Sequence, residues 1–412
     1  MRLGLAAIDA ACGRLGRPER RVRSILVAGT NGKGSTAATL ASIATAAGLR
    51  TGLYTSPHLI DVTERIRLGS EDLAAAELDA ALAAVFDAAD RPPEVPLTYF
   101  EALTAAAFEV FARREVDLAV LEVGLGGRHD ATNVAPAAMS LVTSIGFDHM
   151  ADLGPTLASI AREKAGVFRR GRPALVWADA EEARLALEES ARSAGAPLHE
   201  VDREVRLAGV ETDWTGVRFR LETPVAAYAL STPLPGAHQA RNAALAVRAA
   251  ELLSDEEPRL GGSAITAGVA AVRWPGRLER FRVGARTILL DGCHNAQGAA
   301  ALARFLKDTG LRGELLFGVM EDKEIDEIGR ILLPCASRVC FTAPAFERAC
   351  PPDELRRRFE DLAPEATTAP SVAVALAERV AESRTEPIIV AGSLYLVGEA
   401  RAWLVSGRFE RA

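Results

Sequence analysis

Gly29-Thr30-Asn31-Gly32-Lys33-Gly34-Ser35 lies between an apolar run at 25–28 and a helix-forming run at 37–47. A strand, a glycine-rich loop and a helix in that order make a phosphate cradle. Small residues let backbone N–H groups converge on an anion, and the helix turns its positive end toward it. Lys33 adds a mobile charge for the terminal phosphates. The loop departs from the common G-x-x-x-x-G-K-[ST] pattern twice. Val27 stands where the first glycine belongs, and Gly34 stands where a Mg²⁺-binding hydroxyl is expected. The metal ligand must then come from Ser35 or from another segment. A glycine-rich turn can also be purely structural, but Lys33 and the flanking pattern favour nucleotide binding.

The rest of the chain gives this loop an ordinary globular setting. Its 412 residues suit two or three domains, 49% of them are hydrophobic and 25% charged. A net charge of −7 with scattered basic residues argues against a nucleic-acid or anionic-membrane surface. The first nine residues resemble an amphipathic helix broken by Asp9, not a signal peptide, and no run suits a bilayer span. Five cysteines without metal spacing suit a reducing compartment, so a cytoplasmic protein is expected, and a monomer.

Apolar strand-like runs alternate with alanine-rich helical runs, as in an α/β protein with a mainly parallel sheet. The first half predicts strands at 24–28, 52–55, 118–123, 140–145 and 174–177. Helices are expected at 37–47, 71–89, 99–113 and 157–168, with Thr98 and Glu101 at capping-box spacing. Residues 200–232 read as short antiparallel strands, followed by a helix at 238–253. Pro275-Gly276 marks a hinge at 273–277. Beyond it a second α/β pattern has strands at 287–290, 314–319, 338–341 and 387–391, and helices at 296–306, 353–359 and 372–384. The expected division is 1–272 for nucleotide binding, the hinge, and 278–412 for a smaller Rossmann-like unit, with the ligand in the cleft between them.

Several chemistry-bearing residues follow predicted strands, where α/β sheets place their ligand crevice. Glu122 ends an apolar strand and is a candidate Mg²⁺ ligand, since that ion needs only one or two protein carboxylates. Otherwise it is a strand-end glutamate facing water. Ser56, in Ser56-Pro57-His58-Leu59, offers a hydroxyl in place of the one Gly34 lacks; taken alone, Ser-Pro is a turn. His149 closes the strand that begins at 140. Lys164 is either a solvated lysine paired with Glu163 or a buried one whose neutral amine becomes nucleophilic. Asp291-Gly292-Cys293-His294-Asn295 offers acid, imidazole and amide to the cleft, and Arg277 reaches a phosphate if the two halves close.

Nine strings in order carry a resemblance: GTNGKGS (29–35), TSPHL (55–59), TYFE (98–101), LEVGLGGRHDATN (121–133), TSIGFDHM (143–150), REKAGVF (162–168), HQARNA (238–243), PGR (275–277) and DGCHN (291–295). Together the chain resembles the folylpolyglutamate synthase/dihydrofolate synthase branch of the Mur ligase family. The resemblance implies a P-loop Mur-ligase-type ATP-binding domain and a smaller C-terminal α/β domain. It implies ATP-dependent addition of L-glutamate to dihydropteroate, to the γ-carboxylate of reduced folates, or to both, through an acyl phosphate. By that resemblance Gly29 to Ser35, Asn242, Arg277, Asp291 and His294 contact the nucleotide. Ser56 and Glu122 hold one Mg²⁺, His149 lies at a second, and Lys164 is the family's carbamylated lysine. Phe100 and Asp130 lie on the pterin side. The family usually carries a helix before the position matching Met1, so this chain is either short or misses its true start; Cys293 and Ala296 stand where alanine and proline are usual. Another Mur-type amide ligase, a P-loop phosphotransferase that makes no amide, and a non-catalytic nucleotide-binding scaffold are the competing readings.

Overall fold

The computed structural model describes residues 4–382 and 384–407 in full and the backbone of Glu410–Arg411. The N-terminal helix runs over Ala6–Arg14 and is not broken at Asp9, which lies in its first turn where a carboxylate suits the helix dipole; positions 1–3 lie outside the described residues. The strands β1 (Ser24–Ala28), β2 (Thr51–Tyr54), β3 (Ile66–Leu68), β4 (Glu71–Asp72), β5 (Leu118–Glu122), β6 (Met139–Val142), β7 (Ala174–Val176) and β8 (Leu198–Glu200) form one sheet. Its order is β4-β3-β2-β5-β1-β6-β7-β8. From β2 to β8 all neighbours are parallel; β3 and β4 add an antiparallel edge.

The central strand β1 is buried at every position, because helices cover both sheet faces. Ile25 and Val27 pack into the core on one face, Leu26 and Ala28 into the core on the other. Helix Lys33–Ala46 is buried from Gly34 through Ala41. Its small side chains let helix Gly262–Ala271 approach closely: a methyl group at Gly268 would collide with the backbone of Ile43. Ser42 Oγ donates to Gly268 O at 2.7 Å across the same contact.

Three antiparallel strands, β9 (Arg206–Asp213), β10 (Gly216–Glu222) and β11 (Ala227–Thr232), follow as the alternating runs predicted. The second large sheet comprises β12 (Glu279–Val283), β13 (Arg286–Asp291), β14 (Glu314–Phe317), β15 (Arg338–Phe341), β16 (Thr367–Thr368), β17 (Ile388–Ala391) and β18 (Glu410–Arg411). Its order is β16-β15-β14-β17-β13-β12-β18, parallel from β16 to β13. Residues 273–277 lie between helix Gly262–Ala271 and β12.

Several expectations need correcting at element level. The helix expected at 157–168 ends at Lys164 and tightens into a 3₁₀ turn over Ala165–Val167. The strands expected at 140–145 and 314–319 end at Val142 and Phe317, so His149 stands beyond the strand rather than closing it. Residues 71–72, expected to open a helix, instead pair with β3 across a turn containing Gly69 at φ 62°. The helix begins at Ala75. The expected helix at 372–384 stops at Ala381, and position 383 lies outside the described residues.

Candidate active site

β1 delivers the chain into the glycine-rich loop at its carboxyl end. Gly29 (φ 146°) and Gly32 (φ 83°) adopt backbone conformations that L side chains rarely take. Side chains there would also collide with Thr143 and Asn242, respectively. The segment after β6 clamps the loop. Thr143 Oγ1 and Ser144 Oγ donate to Asn31 O at 2.6 and 3.0 Å, and the Thr30 N–H donates to Ser144 O at 2.8 Å. The helix then starts at Lys33, so the loop runs directly into a 14-residue helix N-terminus. Gly34 has a packing reason: a methyl group there would collide with the Trp274 ring.

Two lysines converge on this loop. Lys33 Nζ and Lys164 Nζ both donate to Gly29 O, at 3.1 and 2.8 Å. Burial lowers the Lys33 pKa, while Glu122 and Asp148 oppose that shift. Burial, and then the Lys33 charge, bring Lys164 down to about 7. Lys164 is therefore the buried lysine of the two sequence readings, at 5% exposure. Glu122, also 5% exposed, accepts from the Ser56 backbone N–H at 3.2 Å. Burial pushes its carboxyl up against the pull of Lys33.

Ser35, Ser56, Glu122 and His149 line one cavity of about 270 Å³ together with both lysines. His149 has φ 50° at the start of the short helix Met150–Leu153, and burial lowers its pKa against the pull of Asp148. No group of three His, Cys, Asp or Glu residues that could hold a metal is found among the described residues. A buried carboxylate disfavoured as an anion, with hydroxyls beside it, fits a hard cation that keeps phosphate and water oxygens as its other ligands. The donor set thus suits Mg²⁺.

The opposite wall comes from the second sheet. Asp291 ends β13; its Oδ2 accepts from the Leu278 N–H and its Oδ1 from the Cys293 N–H, both at 3.1 Å. Burial raises its carboxyl pKa. His294 lines the cavity with Nδ1 2.9 Å from Gly292 O, and burial brings it to about 4, so the ring is neutral near pH 7. Arg277 and Asn242 line the same cavity; Asn242 Nδ2 donates to Gln239 Oε1 at 2.8 Å.

Phe100 and Asp130 do not line it. Asp130 accepts from the Gly124, Leu125 and Thr132 N–H groups at 2.9 to 3.0 Å, so its carboxylate shapes the turn after β5. The Phe100 ring packs beside that turn, 2.7 Å from where a Gly124 methyl would stand.

Sequence reasoning missed Trp177 and Arg241 at one end of the cavity, where the guanidinium lies 5.7 Å from the indole centroid. It also missed Asp148 and Gln297. Asp148 sits inside a quoted string, one residue from the histidine that drew the assignment.

A phosphate loop and paired lysines face a second, mainly parallel sheet across a cleft, and comparison with known proteins places that arrangement among ATP-dependent ligases of the Mur type. Residues 27–250 match the Mur ligase middle domain, and residues 277–402 match the dihydrofolate synthetase C-terminal domain. The chain is 33% identical to the dihydrofolate synthase/folylpolyglutamate synthase of Bacillus subtilis (strain 168), covering 97% of this chain and 94% of that one. A Mycobacterium tuberculosis folylpolyglutamate synthase complexed with ADP superposes with a TM-score of 0.89 at 33% identity, covering 97% of this chain and 95% of that one. Escherichia coli FolC in complex with DHPP and ADP gives 0.86 at 30% identity, covering 99% and 94%. The chain belongs to the dihydrofolate synthase/folylpolyglutamate synthase family.

Proposed function

We propose that this enzyme uses ATP to join L-glutamate to dihydropteroate, to the γ-carboxylate of reduced folates, or to both. The observation that carries the reading is the convergence of Lys33 and Lys164 on the Gly29 carbonyl, across the cavity from Arg277 and His294. The Lys33 ammonium, held beside the loop at the Gly29 carbonyl, favours an arriving polyphosphate, and Lys164 stands next to it where a modified amine can reach the same space. An acceptor carboxylate oxygen attacks the γ-phosphorus, ADP leaves, and an acyl phosphate forms. The glutamate amine, having lost its proton, attacks the acyl carbon, and phosphate leaves as the amide forms. The loop N–H groups and Lys33 hold the β- and γ-phosphates where charge moves during transfer.

Ser56 and Glu122 would hold one Mg²⁺ and His149 would serve a second. The ion supplies charge neutralisation on the transferring phosphoryl group. Lys164, with a neutral amine available near pH 7, is read as the site of a carbamate: its nitrogen bonds CO₂ and loses a proton. Asn242, Asp291 and His294 are read as nucleotide contacts, and Phe100 and Asp130 as the folate side through the turn they support. We read the chain as units 1–272 and 278–412 about the 273–277 hinge, and as a cytoplasmic monomer. Free thiols at all five cysteines support the reducing compartment. No helix among the described residues is long and apolar enough to cross a membrane.

The test gives purified protein Mg-ATP and L-glutamate with dihydropteroate or tetrahydrofolate and weighs the products. A gain of one glutamyl residue on either acceptor is expected, and it tells which step the enzyme performs. ADP release with no new amide on either acceptor would overturn the reading in favour of a phosphotransferase.

A further inference from the structure

Of the 48 basic residues in this chain only four are lysines, at 33, 164, 307 and 323. A sequence that uses arginine almost everywhere keeps lysine where a compact ammonium is needed. Lys33 and Lys164 line the cavity. Lys323 also reaches the cleft: it stands in the turn after β14, and its Nζ lies 2.9 Å from Asp148 Oδ1. Asp148 belongs to the other half of the molecule and lines the cavity beside His149.

The pair sits in a wider set of ties across the cleft. Asn31, inside the phosphate loop, and Asn295 exchange amide hydrogen bonds at 3.2 and 3.1 Å. Asn31 Nδ2 also donates to Gln297 Oε1 at 2.7 Å, and Asn295 Nδ2 to Asp148 Oδ2 at 3.3 Å. Asn295 meanwhile caps helix Ala296–Asp308, accepting from the Gly298 N–H at 2.8 Å. These contacts exist only while the two sheets face each other closely. Lys323 and Asp148 are each 12% exposed at the side chain, so losing one partner strands the other's charge. A stranded Asp148 carboxylate would face the arriving phosphates.

We propose that Lys323 is a positioning residue for ligation: by pairing with Asp148 it holds the second sheet closed over the phosphate loop and keeps water from the acyl phosphate. The proposal rests on the ligase reading above.

The test measures kcat, KM for ATP, ADP released per amide formed and thermal unfolding for the wild type, Lys323→Met, Asp148→Asn and the double variant. Misplacing bound groups should lower kcat of Lys323→Met by about tenfold or more, with a smaller change in KM for ATP. ADP per amide should rise above one as water intercepts the acyl phosphate, at temperatures well below the variant's own melting temperature where it is fully folded. Asp148→Asn should cost far less in the Lys323→Met background than alone. One-to-one coupling in Lys323→Met, or a loss that is additive and follows the melting temperature, would overturn the positioning role. A wild type that forms no amide with either folate acceptor would overturn the ligase reading itself, and the proposal with it.

Discussion

Lys33 and Lys164 give the site its character, because one carbonyl oxygen accepts from both Nζ atoms. Removing a preorganised charge of this kind costs roughly 3 kcal/mol, on the order of 100-fold in rate. Lys33→Ala should show that loss in steady-state ADP release; near-normal turnover would remove the phosphate-loop assignment. Lys164 carries a pH signature. Its folded pKa of about 7 lies below the ordinary 10.5, so its burial costs stability in full below about pH 7. Between those values the unfolded chain binds a proton that the folded one lacks, and the cost is relieved as pH rises. The same deprotonation exposes the amine to CO₂. With ¹³C-bicarbonate, a carbamate resonance should grow as pH rises through about 7 and be missing in Lys164→Arg; identical spectra from the two proteins would contradict it. The sequence strings place both lysines, Glu122 and Ser56 in the site. That Ser56 meets Glu122 through its backbone N–H is a matter of loop geometry, which the strings do not contain. Nor do they reveal Lys323, whose partner lies 175 residues away.

At the level of elements, the apolar runs made β1 and β15 legible to the residue, since both are short and fully or nearly buried. The Thr98–Glu101 capping box opens helix Tyr99–Arg113 as its spacing predicts. Helix Lys33–Ala46 was read as starting late, because Gly32 and Gly34 look like breakers in sequence. In the fold Gly32 is its left-handed N-cap and Gly34 makes room for Trp274. Helix Gly262–Ala271 escaped the pattern for a related reason: its glycines weaken the helical signal while serving close packing. Gly268→Ala tests that packing. Its methyl group meets backbone rather than a flexible side chain, so overpacking should destabilise by about 1–3 kcal/mol in denaturant unfolding. An unchanged midpoint would show that the two helices can separate freely.

Across the whole molecule, two parallel sheets place the carboxyl ends of β1, β5 and β13 around one cavity. The class of each half was readable from alternating strands and helices. How the halves meet was not, because side chains far apart in sequence make the junction. Trp214, at the tip of the β9–β10 hairpin, stacks edge-on against Phe305 of the second half with centroids 6.3 Å apart. Such a closed cleft suits a reaction whose intermediate water would destroy. The most direct test of that account follows oxygen. An acceptor folate labelled with ¹⁸O in the carboxylate to be glutamylated is incubated with Mg-ATP and L-glutamate, and the released phosphate is weighed. The account predicts one ¹⁸O atom in each phosphate formed with the amide. Amide formation with unlabelled phosphate would contradict activation of the carboxylate by phosphorylation.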